Sequence, residues 1–162
     1  MKRVLLAVED SKASLRAVDL FHELFEGHSP ETTILLYVEK IEGASFMDEM
    51  LGEAELSTLK KELEGTRYQE MLDSRAKKVL EYFRRHLEEK GVSGIQTAVR
   101  EGHPAEEILA VAKEEDVRLI IVGARSRRAH GLFMGSVGRE VANRSERPVL
   151  IARGPVMDKD ES

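Results

Sequence analysis

The chain has no cysteine, which excludes a disulfide framework and any metal site built on thiolates. It has no long apolar run at its start either. The N-terminus passes from Met-Lys-Arg straight into the five apolar residues Val4 to Val8, too few for a signal-peptide core or a membrane span, so a cytoplasmic protein without a membrane partner is expected. An excess of positive charge is also missing: the formal net charge is −5, which argues against nucleic acid as a general partner. The five histidines (His22, His28, His86, His103, His130) show no metal-ligand spacing, and neither a Gly-x-Ser-x-Gly elbow nor a Gly-x4-Gly-Lys-Ser/Thr loop occurs. His22 and His86 read as helix-surface residues; His103 and His130 fall in loops near the glycine-bounded stretch described below. With no candidate base or nucleophile, the chain reads as a binding module rather than an enzyme, and any hydrolysis of a bound nucleotide would be slow and incidental.

What is present describes a soluble domain: 162 residues, 34% charged and 41% hydrophobic, an ordinary balance for one globular unit. The charge is unevenly spread. Arg118 to Arg153 holds eight arginines and two glutamates, a balance of +6 that leaves −11 on the rest of the chain. That basic stretch favours a small anionic ligand over a long polyanion.

In chain order, Val4 to Val8 is a buried strand, and Ser11 is placed to N-cap a helix whose Ala17, Leu20, Phe21, Leu24 and Phe25 share a face. Gly27 ends that helix, and Thr32 to Val38 is the second strand. Residues 42–66 form an acidic, methionine-bearing insert interrupted by three glycines, expected to fold as one or two short helices packed on the domain or on a dimer partner, with a fully disordered linker as the alternative. An amphipathic helix follows, with Tyr68, Leu72, Ala76, Val79, Leu80, Phe83 and Leu87 at helical spacing and Gly91 closing it. Ile95 to Val99 is a weaker strand nearer the sheet edge; Pro104 opens a helix that buries Ile108, Leu109 and Ala112. The four apolar residues Leu119 to Val122 suit a strand covered on both faces. A last helix runs through about Asn143, Pro148 to Ala152 is the final strand, and residues 154–162 are an acidic tail with no reason to be ordered.

The alternation implies an α/β fold, a single doubly wound five-stranded parallel sheet with helices on both faces, in strand order 3-2-1-4-5 or 2-1-3-4-5. In the first order a ligand belongs outside the carboxyl ends of strands 1 and 4, which places Glu9-Asp10 opposite Gly123. Between Gly123 and Ser136 the strand leads through an arginine-rich loop to a helix N-terminus, the makings of an anion cradle. A plain βα connection, its glycines serving only the turn, accounts for the same spacing.

Three stretches together resemble the universal stress protein family, over Met1 to Arg153. They are Leu5-Leu6-Ala7-Val8-Glu9-Asp10-Ser11, then Arg100 to Ile108 with its Gly102-His103-Pro104 helix start, then Ile121-Val122-Gly123 through Gly135-Ser136-Val137 with Arg147-Pro148-Val149-Leu150-Ile151 after it. The resemblance implies the 3-2-1-4-5 order, a homodimer, and in many members ATP, here with Mg²⁺, bound by a Gly-x2-Gly-x9-Gly-Ser/Thr loop. Carried onto this chain it puts the ligand among Glu9, Val38, Gly123, Arg125, Ser126, Arg127, Arg128, Gly135, Ser136 and Val137.

The chain departs from that pattern in three places. Ser126 stands for the second motif glycine with eight residues between it and Gly135, Glu9 for the strand-1 aspartate that meets adenine or ribose, and Asp10 for the glycine after it. Asp10 would repel phosphates unless Mg²⁺ lay between. The apolar run Val149 to Ala152, at the sheet edge in this order, is the expected dimer contact. A member that holds no nucleotide and acts through protein contacts is the alternative. The acidic Glu9-Asp10 pair also resembles a receiver-type phosphoacceptor domain, but strands ending Val38-Glu39, Val99-Arg100 and Ala152-Arg153 lack that domain's aspartate and lysine.

Overall fold

The computed structural model describes residues 1–40, 67–124 and 135–153. The described elements alternate: β1 (Arg3–Val8), α1 (Lys12–Phe25), β2 (Thr32–Glu39), α2 (Arg67–Glu89), β3 (Ile95–Glu101), α3 (Pro104–Glu114), β4 (Leu119–Gly123), α4 (Ser136–Arg144) and β5 (Val149–Ala152). The expectations for the 42–66 insert and the 154–162 tail lie outside the described residues.

The five strands form one sheet in the order β3-β2-β1-β4-β5. Every pairing is parallel, with Leu5 beside Ile34 and Ile120, and Val122 beside Ile151. Of the two orders the alternation allows, this is the one the family resemblance implied. It also differs from the 2-1-3-4-5 order of receiver-type domains, which removes that reading. The chain reverses direction across the sheet between β1 and β4, so the switch point lies at their carboxyl ends.

Period-two alternation splits the strands between two cores. Val4, Leu6 and Val8 face α1 and α2, where they pack with Ala17, Val18, Phe21, Val79, Leu80, Phe83 and Leu87. Leu5, Ile34, Leu36, Ile120 and Val122 face α3 and α4, against Ala105, Ile108, Val111, Ala112 and Val141. β3 is the thinly covered edge the sequence suggests, with Val99 exposed.

Two details differ from expectation. Leu24 is exposed, because the buried stripe of α1 runs through Ser14, Ala17, Val18 and Phe21 instead. β2 and β3 each continue past the apolar run, to Glu39 and Glu101, and pair there with each other. Backbone ladder bonds extend a strand regardless of side-chain polarity.

Each helix pair is also tied by a carboxylate. Asp19 of α1 lies 3.2 Å from His86 Nε2 and accepts from Lys90 Nζ at 3.1 Å. Glu140 of α4 lies 2.7 Å from His103 Nε2, at the start of α3, and accepts from Arg144 at 3.3 Å. Burial pushes the Asp19 carboxyl up, but the bonds from His86 and Lys90 outweigh it and its pKa is lowered. The Glu140 carboxyl is lowered chiefly by its bond to His103.

Candidate functional site

At the switch point the carboxyl ends of β1 and β4 and the N-terminal turns of α1 and α4 enclose a cleft. Glu9, Val38, Gly123, Gly135, Ser136 and Val137 all line it. Arg125, Ser126, Arg127 and Arg128 lie outside the described residues. The sheet topology thus gathers every described residue predicted for the site, from four separate stretches of chain.

One wall is the turn from β1 into α1. Ser11 N-caps the helix, its Oγ accepting from the N–H of Ser14 at 3.3 Å. Ser14, buried at 2% exposure, accepts in turn from the N–H of Glu9 at 2.7 Å. The Ser11 N–H donates to the Glu9 carbonyl at 2.9 Å. Glu9 is therefore held by both of its backbone polar groups, and its side chain is half-buried at the cleft.

The opposite wall is the start of α4. Its N-cap is Gly135, which supplies no side-chain cap, and its first turn carries no acidic residue. The first N–H groups of a helix have no partner within it, and here Ser136, Val137 and Gly138 line the cleft. Partial positive charge and N–H groups with no partner inside the helix converge where an anion could sit.

The two motif glycines have different reasons to be glycine. A Cβ on Gly123 would stand 2.4 Å from the carbonyl oxygen of Ala13 and 2.6 Å from its carbon, so β4 packs directly on the first turn of α1. Gly123 is therefore a packing residue as well as a cleft residue. Gly135 has φ −54° and ψ 157°, open to any L-residue, so its backbone conformation makes no demand for glycine.

Charge in the cleft is sparse: among the described lining residues only Glu9 and Lys40 are formally charged. Lys40, just past the end of β2, was not anticipated, since in sequence it falls between the apolar strand run and the acidic insert. Ser14 and Pro104 were missed as lining residues for a similar reason, because each reads as a helix-start residue. Asp10, expected to oppose phosphates, is exposed and lines a separate groove between α1 and α2 with Lys12, Arg75 and Lys78. His103 contacts Glu140 at the rim. Among the described residues no group of three or more His, Cys, Asp or Glu could hold a metal ion, and no helix is long and apolar enough to cross a membrane.

A doubly wound parallel sheet with an uncapped helix N-terminus at its switch point defines the class of open α/β domains that take small ligands at strand carboxyl ends. Within that class a sequence model of the universal stress protein family matches residues 1–153, and the chain belongs to that family. It is 31% identical over 161 residues to universal stress protein YxiE of Bacillus subtilis, covering 93% of this chain and 98% of that one. It is 29% identical to universal stress protein MJ0577 of Methanocaldococcus jannaschii, covering 90% of this chain and 88% of that one. A structure of a universal stress protein family member from Arabidopsis thaliana, with AMP bound, superposes with TM-score 0.65 at 19% identity, over 99% of this chain and 95% of that one.

Proposed function

We propose that the protein is a small, non-enzymatic adenine-nucleotide-binding module of the stress response, taking ATP with Mg²⁺ in the cleft between β1 and β4. The observation that carries this is the first turn of α4, to which its N-cap Gly135 gives no side-chain bond, facing Glu9 across one cleft. Phosphates lie against the N–H groups of Ser136 to Gly138, with the Ser136 hydroxyl donating to a phosphate oxygen. Val38 packs on the base, and Glu9 accepts from ribose or adenine. Lys40 offsets charge from inside the cleft; Arg125, Ser126, Arg127 and Arg128, which the family motif adds to the ligand set, lie outside the described residues. The placement of Asp10 in a different groove eases the repulsion its sequence position suggests. A relative that carries AMP supports an adenine ligand. One carboxylate and no histidine among the described lining residues support binding rather than catalysis.

Calorimetry with ATP and Mg²⁺ tests the site. Gly135→Val is expected to weaken binding more than about 100-fold, as two or three backbone bonds to phosphate are lost. No heat at millimolar ATP, or equal binding by the variant, would leave the alternative of a member that acts through protein contacts alone.

The same reading makes the protein a cytoplasmic homodimer joined through β5, because Val149, Leu150 and Ile151 are only half-buried along the sheet edge. Light scattering reads the outcome: a dimer at micromolar concentration, reduced to monomer by Leu150→Lys. A wild-type monomer ends that part of the proposal.

A further inference from the structure

We propose that Ser14 is a positioning residue that fixes Glu9 at the cleft and thereby sets the preference for a nucleoside over bare phosphate. The inference rests on the nucleotide reading above and deepens it. A hydroxyl in the first turn of a helix ordinarily bonds within that turn or back to the preceding carbonyls. The Ser14 Oγ instead reaches out of the helix to the N–H of Glu9, five residues earlier, at 2.7 Å. It does so from a site with 2% exposure, where few waters can take its place. The Ser11 N–H holds the Glu9 carbonyl at 2.9 Å, so the residue carrying the only carboxylate among the described lining residues has its backbone held from both sides.

This matters because Glu9 stands where the family pattern has aspartate. The longer side chain has one more rotatable bond, and a loose backbone would add further freedom to be lost on binding. Phosphate recognition belongs to the other wall, at Ser136 to Gly138, and does not pass through Ser14. The two walls can therefore be separated by ligand.

The experiment is calorimetry on the full chain with Mg-ATP and with Mg-tripolyphosphate, comparing wild type, Ser14→Ala, Ser11→Ala and Glu9→Gln. Ser14→Ala is expected to lower the ratio of ATP to tripolyphosphate affinity about tenfold, the scale of one lost buried hydrogen bond. Ser11→Ala, which removes the helix cap but keeps the Ser14–Glu9 bond, should leave that ratio within about twofold. Glu9→Gln should lower the ratio as Ser14→Ala does, and it keeps the test decisive if Ser14→Ala folds poorly. An unchanged ratio in Glu9→Gln or in Ser14→Ala, or an equal fall in Ser11→Ala, overturns the assignment. Wild type that binds tripolyphosphate and ATP equally also overturns it while leaving the anion site standing. Wild type that binds neither sinks the nucleotide reading itself, and this inference with it.

Discussion

Two helices begin at the same cleft and finish their N-termini in opposite ways. α1 is closed by its own hydroxyls, with Ser11 accepting from Ser14 and Ser14 accepting from Glu9. α4 is opened by Gly135, which has no side chain to offer. Neither first turn carries an acidic residue, so dipole compensation does not distinguish them. The difference is where the donors are spent. An N-terminus binds an anion only while its N–H groups lack an internal partner. By that criterion the α1 side is built to hold the Glu9 backbone still and the α4 side to receive a charge.

The strongest way to break this comparison is at Gly123, where β4 packs on the first turn of α1. Gly123→Ala is expected to lower the free energy of unfolding by about 3 kcal/mol, the upper part of the overpacking range, because the obstacle is the Ala13 backbone. Gly135→Ala should cost less than about 1 kcal/mol, a change of cap only. Urea denaturation of both variants decides it; equal losses would mean that the walls are not distinguished in this way.

A smaller effect sharpens the comparison. Gly135→Ser gives α4 the kind of cap that α1 has, and the new hydroxyl competes with phosphate for the same donors. ATP affinity should fall about tenfold while stability stays within about 0.5 kcal/mol of wild type. Tighter binding by this variant would show that the cleft uses the hydroxyl instead of being blocked by it.

The smallest effect concerns the ties that hold each wall to its neighbour. Asp19 and Glu140 both have carboxyl pKa values below the ordinary range in the folded protein. Their contribution is therefore complete above the unfolded carboxylate pKa of about 4 and is lost as pH falls through the lowered folded values. Both pairs are partly exposed, so each contribution is small. Thermal midpoints at about pH 6 and about pH 3 should drop less for Asp19→Asn and for Glu140→Gln than for wild type. An equal drop would mean that the ties add nothing.

The sheet was largely legible from sequence because its signals are local. Apolar runs marked all five strands, and Gly27 and Gly91 marked helix ends, where both residues sit at left-handed φ of +79° and +86°. Strand order was not local: two orders fitted the alternation, and only the family motifs favoured the observed one. For the site, Gly123, Gly135 and Ser136 could be read from their spacing, whereas Val38 entered through the resemblance alone. Ser14 and Lys40 were invisible because what matters about them is which way the folded chain turns them. Leu24 failed for the mirror-image reason: an apolar residue at nearly the right phase is still exposed if nothing lies opposite it.

The all-parallel sheet has one more consequence. Every strand leaves at the same end, so every connection that follows a strand meets at the cleft, and every connection that precedes one lies at the far end. The far-end connections are short, and three of them carry the left-handed residues Gly27, Gly91, Gly94 and Asp116. Lengthening them would disturb the crossovers. Two departures from the family motif, Glu9 and Asp10, directly follow β1 at the cleft end, while the 42–66 insert and Ser126 lie outside the described residues. The fold separates two jobs along one axis: the far end holds the tight left-handed turns, and the cleft end holds the residues that line the site.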